Sequence, residues 1–212
     1  MKKGVYVQYG CGLSSPKEWI NFDSSPTLRI QKNFILGPIF KAFSPLVFPE
    51  NILYGDIVKG LKIKEESCDG LYCSHVLEHL AYYDLLIALK NSYKILKPGG
   101  IFRMVLPDLE FLCKKYVSDL KEAKTDASFS FMSDSLLGVE KRNTSFVSFL
   151  KSFYGNSKHL WMWDFYSLES ALSKTGFQGI RKCSFNDCID NTFNFVEDKQ
   201  RFINCLAIEA IK

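Results

Sequence analysis

The sequence contains no apolar run of 18 residues, so no part of it reads as a membrane-spanning helix. It contains no Cys-x-x-Cys pair. Its seven cysteines are scattered at 11, 68, 73, 113, 183, 188 and 205. An odd, dispersed set argues against a disulfide framework and fits reduced thiols in the core of a cytoplasmic protein. Clustered Lys and Arg are missing as well, and the net charge is only +4. That argues against a dedicated nucleic-acid binder. The N-terminal Met1-Lys-Lys-Gly4 has the charge of a signal peptide, but the apolar run behind it is short and ends in Gly10-Cys-Gly12. The expectation is no signal and a cytoplasmic location. There is no internal repeat and no long linker, so residues 1–212 read as one domain.

What is present is ordinary for a globular chain, with 47% hydrophobic and 24% charged residues. The aromatic share of 15%, with 18 Phe, is high. It points to a thick core and to aromatic surface in a pocket or contact patch.

Short apolar runs bounded by turn residues mark seven strands: 4–9, 19–22, 51–54, 70–74, 100–106, 179–185 and 202–211. Helical spacing appears over 82–96, at Tyr82, Leu85, Leu86, Leu89, Tyr93 and Leu96, and is stopped by Lys97-Pro-Gly-Gly100. A second stripe follows Asp108, at Leu109, Leu112, Cys113, Tyr116, Val117 and Leu120. A third helix is expected from a cap at Ser167 to Thr175, ended by Gly176. Alternating strands and helices predict a mainly parallel sheet covered on both faces. Two segments break the alternation. Residues 24–50 are rich in Pro and Phe; residues 122–160 turn from polar to aromatic at Phe146, Phe149, Phe153 and Tyr154. Both read as insertions, with irregular or short helical structure, that serve as a lid or substrate cap, or equally as a dimer contact or simply packed loops. Arg29, Lys32 and Lys41 among the apolar residues of 28–43 also raise a peripheral membrane contact.

In such a sheet, ligands sit beyond the carboxyl ends of the strands. Those ends carry Gly10-Cys11-Gly12, Asp23, Asp56, Ser74-His75 and Pro107-Asp108. The two glycines allow a tight turn and close approach to a ligand. Asp23 can accept ribose hydroxyls and Asp56 an adenine amine; either can equally serve as a turn residue. A dinucleotide would need a helix N-terminus behind the turn. Only Leu13 to Lys17, with Pro16 among them, precede Glu18-Trp19, and Ser15 replaces the third glycine of Gly-x-Gly-x-x-Gly. An adenosine cofactor without a pyrophosphate fits better. A nicotinamide-dependent oxidoreductase remains an alternative.

The series Val7-Gln-Tyr-Gly-Cys-Gly12, Trp19-Ile-Asn-Phe-Asp23, Gly55-Asp56, Cys68 through Leu80 and Leu96 through Asp108 resembles the class I S-adenosylmethionine-dependent methyltransferases, in particular the small bacterial type-11 group, whose members are often associated with glycan assembly. The resemblance implies an α/β, Rossmann-like three-layer sandwich with a seven-stranded, mostly parallel sheet, order 3-2-1-4-5-7-6, the last strand antiparallel. It implies that S-adenosylmethionine is the cofactor and S-adenosylhomocysteine the product. Tyr9, Gly10, Cys11 and Gly12 would line its methionine part, Asp23 its ribose, and Asp56 and Ile57 its adenine. Ser74 and His75 would lie beside the methyl group. Gln8 stands where many relatives carry an acid, and Ser14 where a third small Gly is expected.

His75-Val-Leu-Glu-His79 also matches the inverted zinc-protease pattern His-x-x-Glu-His, which would need a third ligand such as Glu140 or Glu169. The motif follows directly on a strand, and the same letters are typical of the methyltransferase group, so no metal is expected and His79 reads as a packing histidine. His159, Asp108 and His75 are the candidates for a general base. Asp108 also suits a helix cap. Trp161 and Trp163 offer an apolar or sugar-stacking wall. The expected reaction is methyl transfer to a small-molecule or glycan hydroxyl, with no nucleic-acid partner and a monomer or homodimer as the working unit. A catalytically silent module of the same fold is the other alternative.

Overall fold

A computed structural model describes residues 4–44, 47–140 and 158–212. Seven strands form one sheet: β1 (Tyr6–Tyr9), β2 (Ile20–Asp23), β3 (Ile52–Tyr54), β4 (Cys68–Ser74), β5 (Leu96–Pro107), β6 (Gln178–Lys182) and β7 (Cys205–Ile211). Their order is β3-β2-β1-β4-β5-β7-β6. β7 runs antiparallel to both β5 and β6, and the other pairs are parallel. This is the expected order. Among the described residues the helices are α1 (Pro26–Gln31), α2 (Leu36–Phe43), α3 (Tyr82–Ile95), α4 (Leu109–Lys121), α5 (Ala127–Asp134) and α6 (Phe165–Thr175). Among the described residues no helix is long and apolar enough to cross a membrane.

The two sheet faces are covered differently. On one face Leu71, Cys73, Phe102, Met104 and Ile208 meet Leu85 and Leu89 of α3 and Leu168 and Leu172 of α6. Those positions alternate along the strands, as side chains of one face must. On the other face Tyr72, Ile101, Val105 and Ala207 pack against Trp19, Phe193 and Val196. That cover is not a helix layer but the β6–β7 connection, folded as two short 3-10 turns at Asn191–Phe195 and Lys199–Phe202. Its Phe193 packs on Trp19, which precedes β2, with ring centres 5.4 Å apart. The high aromatic content thus supplies apolar bulk where no long helix is present.

The connection is also tied down by charge. The fully buried Arg103 of β5 donates to Glu197, to Glu209 of β7 and to the carbonyls of Ser184 and Asp187. Arg181 of β6 pairs with the same Glu209 at 2.8 Å and with Asp187 at 3.0 Å.

The cap of α6 differs from expectation. Asp164 is the N-cap and accepts from the Ser167 amide at 2.8 Å, while the Ser167 hydroxyl receives the Asp164 amide at 3.3 Å. Ser167 is therefore the third helical residue of a reciprocal capping box, not the cap. The 24–50 excursion contains α1 and α2, whose Phe34 and Phe43 are each 86% exposed. Phe146, Phe149, Phe153 and Tyr154 lie outside the described residues.

Candidate active site

The carboxyl ends of β1 to β4 open into one cleft of about 370 Å³. Tyr9, Gly10, Gly12, Asp23, Asp56, Ile57 and His75 line it, together with Ser24 to Pro26, Gly55, Val76, His79 and Leu80. Of the cofactor residues read from the sequence, Cys11 and Ser74 do not line this cleft. Cys11 packs behind the turn against Leu28, Phe48 and Ile52, and burial pushes its thiol up to about 12. Ser74 is buried, and its hydroxyl has no hydrogen-bond partner.

The turn after β1 is clasped from two sides. The Asp23 carboxylate accepts the Gly12 amide at 2.9 Å and the Ser25 amide at 2.8 Å. Two oxygens with about four acceptor positions leave roughly two free toward the cleft. The turn role and the ligand role of Asp23 therefore coexist. Gln8, buried beneath the turn, donates to the Ser14 carbonyl at 3.1 Å and to Asn21 at 2.5 Å. It braces the loop from below, outside the cleft lining. Asp56 caps its own turn by accepting the Val58 amide at 3.0 Å, and Asn91 of α3 holds the Ile57 carbonyl at 2.7 Å. Asn91 was not legible as a site residue, because nothing in an amphipathic helix pattern marks which polar residue reaches a loop.

Asp23→Ala is expected to weaken S-adenosylhomocysteine binding by about 1–3 kcal/mol, the usual cost of leaving polar partners unpaired. Titration calorimetry on the variant checks this; an unchanged affinity would show that the acid at the end of β2 takes no part.

His75 stands at the end of β4 with a left-handed backbone, φ 54°, its amide bonded to the Val105 carbonyl at 2.8 Å. Such a conformation is uncommon for a residue with a Cβ and tends to mark functional positions. It also breaks the inverted zinc pattern, since His75 and His79 do not share a helix face: the chain turns at His75, and only Leu77–His79 form a 3-10 turn. Burial lowers the affinity of His75 for a proton. Its contacts with Cys205, Glu78 and the Arg201 carbonyl outweigh that and raise the imidazole to about 10. At neutral pH it is a cation and no general base.

Asp108 caps α4, accepting the Glu110 amide at 2.9 Å, and does not line the cleft. His159 is 7% exposed and sits behind the cleft wall. Burial holds its imidazole below the ordinary histidine value, against the opposing pull of the Glu78 carboxylate. The amides of Leu160 and Trp161 both donate to the Glu78 carbonyl, at 2.7 and 3.2 Å. Segment 159–163 is thereby pinned beside the cleft. Tyr82 stacks on the buried Trp163 at 5.8 Å and contacts Trp161, itself 45% exposed, at 5.0 Å. One tryptophan thus belongs to the core and the other presents a face to solvent.

Between Gly10 and Trp19 the chain forms turns and no helix. The oxidoreductase reading therefore lacks the helix N-terminus that a pyrophosphate needs.

No curated protein sequence matches the chain. Residues 39–104 match the family model described as a methyltransferase domain. Among solved structures, a SAM-dependent methyltransferase from Archaeoglobus fulgidus is similar over 99% of this chain and 86% of its own, at 18% identity and TM-score 0.51. A SAM-dependent methyltransferase from Thermotoga maritima is similar over 100% and 84%, also at 18% identity and TM-score 0.51. A Haloferax volcanii methyltransferase, in complex with the Trm112 methyltransferase activator, is similar over 99% and 82%, at 16% identity and TM-score 0.51. At these identities the structural likeness concerns the fold; the family match adds the domain type. The chain has the fold of the class I S-adenosylmethionine-dependent methyltransferases, and its central segment matches a methyltransferase domain. The family match begins after β2, so the Gly-x-Gly turn and Asp23 lie outside it. The sheet order brings them to the same edge as the matched Asp56 and His75.

Proposed function

We propose that the methyltransferase acts on a hydroxyl of a small molecule or saccharide. The observation that carries this reading is the exposed Trp161 face, backed by Tyr82 in a groove of its own, on a segment whose amides bond the Glu78 carbonyl next to the cleft-lining His79. A rigid aromatic face of this kind stacks on the apolar side of a sugar ring at little entropic cost.

The cofactor residues fit the geometry of an adenosine ligand. A glycine turn offers close approach, Asp23 has acceptor capacity for ribose hydroxyls, and Asp56 with Ile57 forms a polar and an apolar contact at the far end. S-adenosylmethionine, when bound, supplies an electrophilic methyl on a sulfonium. The protein's task is then to align the acceptor lone pair with the methyl carbon, and such positioning is a large part of the rate. Of the three catalytic candidates, His75 is held as a cation and Asp108 is engaged as a cap. His159 is the neutral imidazole and is proposed to serve the acceptor side. The α1–α2 excursion begins at Pro26 on the cleft rim, and its exposed Phe34 and Phe43 support its assignment as a lid over the acceptor.

The test is turnover with labelled S-adenosylmethionine across a panel of glycosides, phenols and amines. Product with hydroxyl acceptors, reduced at least tenfold in Trp161→Ala, is the expected result. Turnover with amines alone would sink the hydroxyl assignment, and turnover unaffected by Trp161→Ala would sink the sugar platform. Tight cofactor binding without turnover on any acceptor would favour the silent-module alternative.

A further inference from the structure

The chain has three histidines, and all three surround one carboxylate. Glu78 is 0% exposed, and neither of its oxygens has a hydrogen-bonded partner. Its Oε1 lies 3.3 Å from His75 Nδ1, 3.9 Å from His79 Nε2 and 4.0 Å from His159 Nε2. An ionised carboxylate placed out of water costs several kcal/mol unless something compensates it. His75 supplies part of that compensation at ion-pair distance but without hydrogen-bond alignment. The other two histidines are oriented differently.

His79 commits its Nδ1 to the Lys158 carbonyl at 2.9 Å. That contact places a hydrogen on Nδ1 and turns the lone pair of Nε2 toward Glu78. A ring nitrogen bonded to a backbone carbonyl, with the opposite nitrogen free, is how metal-binding histidines are usually held. His159 is buried and its Nδ1 has no partner. The rings of His79 and His159 meet edge to face with centroids 5.1 Å apart. One ligating atom from each of Glu78, His79 and His159 lies within 4.8 Å of the others. Ligands on a tetrahedral ion at bonds of about 2.0–2.1 Å stand about 3.4 Å apart, so the set needs closure of roughly 1 Å, within reach of small side-chain rotations. The backbone already fixes both halves, because the Glu78 carbonyl receives the Leu160 and Trp161 amides.

We propose that Glu78, His79 and His159 form a binding site for a divalent transition-metal ion at the wall of the methyltransferase cleft. Two imidazoles and one carboxylate suit zinc, iron(II), manganese or cobalt better than magnesium or calcium, which prefer all-oxygen sets. The proposed site departs from the expectation of no metal, and its third ligand is His159 in place of Glu140 or Glu169. His79 lines the cleft, so the remaining coordination positions are reached from that side. An ion there would draw in an acceptor oxygen and polarise it. That last step rests on the hydroxyl-acceptor reading; ion binding itself does not.

The experiment is titration of the chelator-treated full chain with Co²⁺, followed by visible absorption and by competition with Zn²⁺. S-adenosylhomocysteine binding is measured in parallel by calorimetry. One equivalent of Co²⁺ with ligand-field bands, displaced by Zn²⁺, is expected. Affinity should fall at least tenfold in His79→Ala and in His159→Ala, and should persist in His75→Ala. Absence of a stoichiometric cobalt spectrum in the unmutated protein overturns the proposal without reference to any variant's folding. Unchanged cobalt binding by the His79→Ala/His159→Ala double variant overturns it equally. Loss of S-adenosylhomocysteine binding would instead strike the cofactor assignment and leave the ion site standing.

Discussion

Arg103→Ala is expected to lose about 3–5 kcal/mol of stability, the range for removing one partner of a buried ion pair. Arg103 is 0% exposed, and its guanidinium supplies donors to Glu197, Glu209 and two backbone carbonyls. Glu209 would keep Arg181. Glu197 would keep only the Asn186 amide and would otherwise be a buried anion with no cation. For a domain of this length the loss corresponds to roughly 6–20 °C in Tm. Urea unfolding of the variant checks the magnitude, and a change below about 1 kcal/mol would mean that the network is dispensable. Charge and packing can be separated with Arg103→Met and the Arg103→Met/Glu197→Gln pair. Neutralising the orphaned acid should return part of the loss.

The same change should be felt in the cleft. Arg103 holds the β6–β7 connection to the sheet, and that connection carries Arg201, whose carbonyl lies 3.0 Å from His75 Nε2. Loosening the connection removes one of the contacts that keep His75 charged and oriented. A variant that still folds at low temperature should therefore bind S-adenosylhomocysteine more weakly, although residue 103 does not touch the cleft.

The sheet was legible in the sequence because buried parallel strands are short apolar runs bounded by Gly, Pro and Asp, and the family resemblance supplied their order. The positions of Gly10, Gly12, Asp23, Asp56 and His75 followed, since strand ends converge at one edge. Three things were not legible. Tertiary contact decided them. The aromatic cover of the second face comes from a connection with no helical or strand period, so its Phe193 and Val196 carry no pattern signal. The cap of α6 is Asp164 because the apolar stripe already begins at Phe165, with Leu168 and Leu172 on the same face, and Ser167 is the reciprocal partner in the capping box. The meeting of Glu78, His79 and His159 joins residues eighty positions apart through the Glu78 carbonyl, and no local spacing encodes that. The His-x-x-Glu-His letters suggest a shared helix face, which the left-handed His75 abolishes.

Gly10→Ala should abolish measurable cofactor binding while leaving the chain folded. Gly10 has φ +63°, and a left-handed backbone costs a residue with a Cβ about 1–2 kcal/mol. The larger effect is steric. A Cβ at this position would stand 2.2 Å from Cγ2 of Val76, on the segment that also carries His75 and His79. Val76 is β-branched and stiff, so relief requires the glycine turn and the 75–80 segment to separate. Both line the cleft, and its width is therefore set by this contact. Gly12→Ala is the control, because it has the same sign of φ, at +56°, with no heavy atom within 4 Å of the added carbon. It should show the backbone cost in thermal unfolding without spreading the two segments. The decisive variant is Gly10→Ala/Val76→Ala, in which the colliding methyl is gone. Binding recovered to within about tenfold of the parent would establish that the Gly10–Val76 approach sets the cleft, the strained φ being felt in stability as in Gly12→Ala. Binding still absent in the double variant would show that the glycine is required for contact with the cofactor itself.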